Sequence, residues 1–140
     1  MADFNTALTK ILKHEGGYVN DPSDKGGETY KGISRKYHSK SQMWVIIDKY
    51  KRDCGGVTAE FKKKINNDAA ISKEVALIYK SDYWNPFNLD AVKNQKIAEQ
   101  IFDDAVNRGV GAACKLCCAL LGLPITTKPT NKLLLSLEML

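Results

Sequence analysis

Apolar residues recur at helical spacing along most of the chain, and one glycine-rich segment at residues 15–32 interrupts them. Phe4, Leu8 and Ile11 are separated by four and three residues, as on one face of an α-helix. The interrupting segment contains five glycines and Pro22, with Val19 and Thr29 on either side of its centre. We therefore predict a mainly α fold: a helical globule with one small β-hairpin or ordered loop after the first helix.

Capping residues and apolar stripes predict the limits of the helices. Asp3 can cap a first helix that runs to about His14. The further predicted helices are a short one at 34–38, one from Met43 to before Gly55, one capped by Thr58, one through Ile71–Tyr83, one from Ile97 to Gly109 or Gly111, and one that ends at Gly122.

Glu15 is the strongest candidate for chemistry. It is the next step of the apolar stripe of the first helix, so its carboxylate is expected to point toward the core, and Gly16 and Gly17 are expected to stop the helix. A carboxyl group at the edge of a core has a raised pKa, which a general acid needs near neutral pH. The alternative is a solvated residue in the last turn, before a plain glycine cap.

Two further residues fit a site around Glu15. Asp24 follows after eight residues and Thr29 after four more, giving an acid, a second carboxylate and a hydroxyl that can hold a water. An inverting glycosidase uses these parts, with its two carboxyl groups about 6.5–9.5 Å apart. Asp24 can instead be a turn residue, Asp21 is a rival for its role, and Thr29 can be an ordinary strand residue.

The order Glu15, Asp24, Thr29 resembles the spacing in phage-type lysozymes, which have one more residue before the Thr. The segment EGGYVNDPSDKGGETYKGIS at 15–34 resembles the signature of the N-acetylmuramidases of glycoside hydrolase family 108, often labelled secretion activator proteins. The shorter segments at 79–86 and 102–109 also resemble that family. The resemblance implies a lysozyme-like fold, Glu15 as the catalytic acid, and hydrolysis of the peptidoglycan bond between N-acetylmuramic acid and N-acetylglucosamine without a metal or other cofactor.

Sugar rings bind to aromatic side chains flanked by hydrogen-bonding groups. Tyr18, Tyr30, Tyr83 and Trp84 are the aromatic candidates for such a cleft, although Tyr83 also continues an apolar stripe. The resemblance places Asn107 at the cleft as well; its alternative is a polar residue before a helix cap.

The resemblance also suggests a division of the chain. Residues 1–122 correspond to a lysozyme-like muramidase domain, and 123–140 to a shortened or diverged form of the family's peptidoglycan-binding segment. The leucines of residues 130–140 can cover the core or form a dimer contact.

Charge and cysteines restrict the partners. A net charge of +5 suits polyanions, including the acidic groups of cell walls and nucleic acids. Residues 62–64 are three lysines that read as one solvated helix face, and no groove-reading motif is present, so we do not expect nucleic-acid binding. Cys114, Cys117 and Cys118 lie at helical spacing and are expected to be structural thiols rather than metal ligands.

The sequence has no run of about 18 apolar residues, so we expect no membrane span. Residues 1–17 lack the features of a standard signal peptide. We expect synthesis in the cytoplasm and action on the wall, in the periplasm, after export or lysis. Two functional alternatives stay open: a lytic transglycosylase, which needs only Glu15, and a non-catalytic wall-binding or secretion accessory protein.

Overall fold

The computed structural model describes residues 1–23 and 27–140. Within these ranges its helices are α1 (Phe4–Leu12), α2 (Met43–Asp53), α3 (Ala59–Asn66), α4 (Ala69–Tyr79), α5 (Gln95–Arg108), α6 (Val110–Leu121) and α7 (Asn131–Glu138), and its strands are β1 (Tyr18–Asn20), β2 (Glu28–Tyr30) and β3 (Ile33–Ser34). This composition confirms the predicted mainly α, lysozyme-like fold with one small β element.

The chain divides into two compact units. One comprises Leu12–Ile78, and the other comprises Met1–Ile11 together with Tyr79–Leu140. The boundary at residue 122, between a catalytic domain and a terminal segment, stays a prediction.

The sheet in the unit Leu12–Ile78 is antiparallel and has the order β1-β2-β3. Tyr18 lies opposite Tyr30, which confirms the predicted hairpin. Lys31 and Gly32 join β2 to β3 with φ values of 47° and 78°, as in the two-residue turn that matches strand twist. Strand β3 occupies the start of the helix predicted at 34–38, so that prediction was wrong: the turn brings Ile33 beside Tyr30, and the chain then continues as turns.

The helix limits in this unit follow their capping residues. Helix α2 ends at Asp53, before Gly55, as predicted. The Thr58 hydroxyl accepts a hydrogen bond of 3.1 Å from the backbone N–H of Phe61, so Thr58 caps α3 as predicted. Residues 62–64 are exposed, which confirms a solvated lysine face.

Four aromatic rings form the centre of the other unit. The Phe4 ring lies 5.3 Å from that of Trp84 and 5.8 Å from that of Phe102, and Tyr79 also packs against Phe102. Their edge-to-face geometry is the favourable arrangement for aromatic pairs. Asp3 caps α1 by accepting a hydrogen bond from the N–H of Thr6, as predicted.

Two helix ends differ from the prediction. Helix α1 ends at Leu12, earlier than His14. Helix α4 ends at Tyr79 rather than continuing through Tyr83, because residues Lys80–Trp84 form a π-helical turn, followed by 3-10 turns at Asn85–Phe87 and Leu89–Ala91. The wider π turn changes which side chains face inward, and Trp84 is completely buried.

The last residues of the chain form α7, which packs against α6. Thr130 caps this helix, and Leu133 and Leu137 are buried, so its leucines cover part of the core. Leu135 is 61% exposed, and the proposed dimer contact through residues 130–140 stays a prediction. Among the helices of the described ranges, none has both the length and the apolar character that crossing a membrane requires.

The contribution of α7 can be measured. We expect Leu133→Ala to lower the free energy of unfolding by about 2–5 kcal/mol, because it leaves a cavity in a packed interface. Leu135→Ala, on the same helix but exposed, is expected to change it by less than about 0.5 kcal/mol. Chemical denaturation of both variants is the measurement, and equal losses would contradict the packing of α7.

Candidate functional site

Glu15 lies in the connection between α1 and β1 rather than at the end of a helix, because α1 stops three residues earlier at Leu12. Its side chain is half-buried. Within residues 1–23 and 27–140, no hydrogen bond or ion pair engages its carboxylate. Glu15 is thus a half-buried acid whose carboxylate is not engaged by any of the described residues.

The two glycines after Glu15 do not form the expected glycine cap. Neither has a left-handed φ, and a Cβ added to Gly16 or Gly17 would meet no described atom within 4 Å. Among the described residues, nothing requires glycine at either position. Relative to these residues the backbone beside Glu15 lies open, with room for another molecule to approach it.

The predicted second carboxylate, Asp24, lies outside the described residues, so its role stays a prediction. Its rival Asp21 is engaged in a turn: its Oδ1 accepts hydrogen bonds of 2.9 and 2.7 Å from the N–H and hydroxyl of Ser23. These bonds lower the pKa of Asp21. Asp21 therefore has the geometry of a turn residue.

Thr29 is the central residue of β2 and lies opposite Val19 on β1. Alternation along a strand places these two side chains on the face opposite that of Tyr18 and Tyr30. Val19 is 47% exposed, whereas Tyr18 and Tyr30 are buried, so Thr29 belongs to the outer face of the sheet. Its half-buried hydroxyl is compatible with holding a water there.

On the inner face of the sheet, Glu28 has only 12% of its side chain exposed. Tyr18 donates a short hydrogen bond to Glu28 Oε2, and Lys51 of α2 donates to both the Tyr18 oxygen (2.7 Å) and the same Glu28 oxygen (3.0 Å). Arg35 donates to Glu28 Oε1 at 2.9 Å. Both carboxylate oxygens are thus held by donors from three different segments.

Arg35 extends this cluster to Asp48 on α2. Its two terminal nitrogens donate to the two Asp48 oxygens at 2.8 and 2.7 Å, a bidentate pair. These bonds raise the pKa of Arg35 and lower that of Asp48. We call Tyr18, Glu28, Arg35, Asp48 and Lys51 the sheet ion cluster.

The sheet ion cluster was missed by the sequence analysis, although its signal was present. Glu28 is two residues from the buried Tyr30, and strand alternation places both on the same face. A carboxylate on a buried face requires charged or donor partners. Burial pushes the pKa of Glu28 up, but the hydrogen bonds from Tyr18, Arg35 and Lys51 outweigh this effect, so its pKa lies below the ordinary value. Glu28 is therefore an ionised structural group and is unsuited to be a general acid.

Tyr18 and Tyr30 lie inside the same unit. Tyr18 is 7% exposed and packs edge-to-face on Phe61, with ring centroids 5.2 Å apart. Tyr30 is 1% exposed and its hydroxyl donates to Asn66 Oδ1 at 2.7 Å. Their role as sugar platforms stays a prediction that these positions do not favour, since neither ring offers an open face.

The other predicted sugar-binding residues belong to the second unit. The Trp84 indole is buried and donates to Asp90 Oδ1 at 2.9 Å, which does not favour a place on a cleft wall. Tyr83 is half-buried, with its ring 5.7 Å from that of Tyr79. Asn107 is exposed, and its amide donates to Asp103 Oδ1 at 3.1 Å. Tyr83 and Asn107 therefore keep surface that a ligand can reach.

Comparison with known families identifies the chain. The sequence model of the family described as Glycosyl hydrolase 108 matches residues 8–109, which include Glu15 and the sheet ion cluster. The chain belongs to the glycosyl hydrolase 108 family. Membership indicates a glycosidase acting on a glycan related to peptidoglycan.

Comparison with solved structures supports the fold. The structure of SagA from Brucella abortus superimposes with a TM-score of 0.61 and 22% sequence identity, covering 98% of this chain and 69% of that chain. At this identity the likeness concerns the fold alone. None of the curated proteins matches the chain significantly.

The sheet ion cluster gives a pH-dependent contribution to stability. Because the pKa of Glu28 is lowered by folding, its contribution is present above the ordinary value of 4.5 and is lost as the pH falls through the folded value. We expect Glu28→Gln to lower the free energy of unfolding by about 1–3 kcal/mol at neutral pH, and by less in acid. Chemical denaturation of the wild type and the variant at neutral and at acid pH measures these differences.

The exposed Glu60, which forms an ion pair of 3.3 Å with Lys64 one helical turn away, is the matched control. Glu60→Gln is expected to change stability by less than about 1 kcal/mol. A difference between wild type and Glu28→Gln that does not shrink in acid would contradict the assignment of Glu28 as ionised.

Proposed function

We propose that the protein is an N-acetylmuramidase that hydrolyses the bond between N-acetylmuramic acid and N-acetylglucosamine in peptidoglycan, with Glu15 as the general acid. The carrying observation is the environment of Glu15: a half-buried carboxyl group, without a partner among the described residues, beside an open glycine backbone. The family match over residues 8–109 supports a glycosidase reaction, and the matched range includes Glu15.

The contrast between two glutamates supports this choice. A general acid must bring its proton within hydrogen-bond reach of the bridging oxygen, so it cannot be held by several protein donors. Glu28 accepts hydrogen bonds from Tyr18, Arg35 and Lys51, whereas Glu15 is engaged by none of the described side chains. Of the two carboxyl groups, Glu15 has the freedom that proton transfer to a substrate requires.

Hydrolysis also requires a water on the opposite face of the sugar. We assign the orientation of this water to Asp24, assisted by the Thr29 hydroxyl on the outer face of the sheet. Protonation by Glu15 makes the bridging oxygen a better leaving group while positive charge develops at the anomeric carbon of the muramic sugar. The water attacks this carbon and loses a proton to the Asp24 carboxylate. The substrate places this activity at the cell wall, after export or lysis.

The decisive experiment is digestion of purified peptidoglycan by the wild type and by Glu15→Gln. We expect the variant to be slower by about 10²–10⁴-fold, the usual contribution of a general acid, with unchanged thermal stability. Glu60→Gln, an exposed glutamate of α3, is expected to retain full activity. Products are identified by mass spectrometry.

The products separate the alternatives. Reducing muramic ends made by the wild type support the muramidase. Anhydro ends would instead identify a lytic transglycosylase, in which Asp24 has no catalytic role. Absence of cleavage by the wild type over several walls and pH values would overturn the enzyme proposal and leave the accessory-protein alternative.

The open backbone beside Glu15 gives a second prediction. Gly17→Ala is expected to change the free energy of unfolding by less than about 1 kcal/mol, because the position has an ordinary φ and free space. It is expected to lower kcat/KM, since the methyl group occupies the approach of the glycan. Gly122→Ala is the contrasting variant, because φ is 68° there and alanine is strained. Unchanged kcat/KM for Gly17→Ala would show that the substrate does not pass this backbone.

A further inference from the structure

We propose that an open pocket around Tyr37 is a second saccharide-binding site, which holds the peptidoglycan strand apart from the bond being cleaved. The pocket has a volume of about 420 Å³, and Tyr37, Lys40, Ser41 and Glu74 contribute to its lining. Its described lining includes neither Glu15 nor Thr29. The identity of the glycan rests on the proposed function, whereas the pocket is independent of it.

Tyr37 is unusually exposed for an aromatic residue. Its exposed fraction is 74%, whereas the remaining tyrosines of the chain are buried or half-buried. The Lys36 ammonium lies over the Tyr37 ring, 5.6 Å from its centroid, so one ring face makes a cation–π contact and a sugar would stack on the other. A large exposed ring loses contact with water favourably when the C–H face of a sugar stacks on it.

Fixed polar groups accompany the ring. The Ser41 hydroxyl donates to Glu74 Oε2 at 2.9 Å and accepts a hydrogen bond of 3.3 Å from the N–H of Met43. These two bonds hold the Glu74 carboxylate in the pocket as an acceptor for sugar hydroxyl and acetamido N–H groups.

The pocket also carries positive charge. Lys40 is exposed in the pocket wall and can pair with a carboxylate of the ligand. Peptidoglycan offers such carboxylates on the stem peptide of a muramic sugar, or on its lactyl group where the peptide is absent. A stacking ring, an oriented acceptor and a cation thus match an acidic amino-sugar polymer better than a neutral glucan.

A second contact on the same strand has a kinetic consequence. Once the pocket holds one part of a glycan, the next part reaches the Glu15 region at a raised local concentration, provided that the strand spans both places. The pocket therefore contributes to binding of long insoluble strands and not to that of a short soluble fragment.

The test uses the full chain with Glu15→Gln, so that binding is measured without cleavage. Retention on purified peptidoglycan sacculi is compared for this protein and for the same protein carrying Tyr37→Ala, Tyr37→Phe or Val45→Ala. We expect Tyr37→Ala to weaken retention by about three- to tenfold, the effect of losing one aromatic contact, while Tyr37→Phe keeps the ring and retains binding. Val45 is 70% exposed and is not among the described residues of the pocket, so Val45→Ala is expected to have no effect.

The outcomes test the Tyr37 pocket separately from the proposed muramidase activity. Tyr37-dependent retention by a protein whose wild type cleaves nothing would support the pocket and overturn the muramidase. Normal retention of Tyr37→Ala, confirmed to be folded by its thermal melt, would overturn the pocket even if Glu15 proves catalytic. An equal loss of retention on DNA would also overturn it, because the surface would then be a general polyanion binder.

Discussion

The small sheet depends on the hydrogen bonds and ion pairs that hold the ionised carboxylate of Glu28. A carboxylate with so little exposure is costly unless donors replace its water, and Tyr18, Lys51 and Arg35 supply them. Asp48 completes the sheet ion cluster, in which two anions face two cations. The cluster connects β1 and β2 to α2. The Lys31 N–H also donates a backbone hydrogen bond of 3.3 Å to the Gly17 carbonyl, which holds the chain two residues after Glu15.

The carboxylates of Glu28 and Glu15 differ in how many of the described residues hold them. Stability requires a buried charge to be satisfied, whereas reaction with a substrate requires an acid that the protein has not already engaged. Glu28 follows the first requirement and the proposed role of Glu15 the second. The described atoms also leave the space beside Gly16 and Gly17 open, which fits the proposed role of Glu15.

Most helices before residue 122 and the hairpin could be predicted because each rests on a local pattern: caps such as Thr58, apolar stripes, and turn residues between two short strands. The helix predicted at 34–38 had only its short length and no such stripe, and it was wrong. The π turn at Lys80–Trp84 could not, since the apolar pattern continues through it without a break. The sequence also does not show which aromatic side chains are buried in the core and which are exposed on the surface. Tyr18 and Tyr30 are buried, whereas Tyr37, which no sequence pattern marks, is exposed. Glu28 was missed although alternation within β2 puts it on the face of Tyr30, because its charged partners Arg35 and Lys51 come from segments that no local pattern connects to that strand.

The packing of α6 has a consequence for the chemistry of its thiols. Cys114 and Cys118 are buried beside the Thr126 hydroxyl, and burial raises the pKa of Cys117 to about 11. At pH 7 the reactive thiolate of Cys117 is then present at roughly one part in ten thousand. Oxidants and alkylating agents attack thiolates, so Cys117 is a poor target for them at neutral pH.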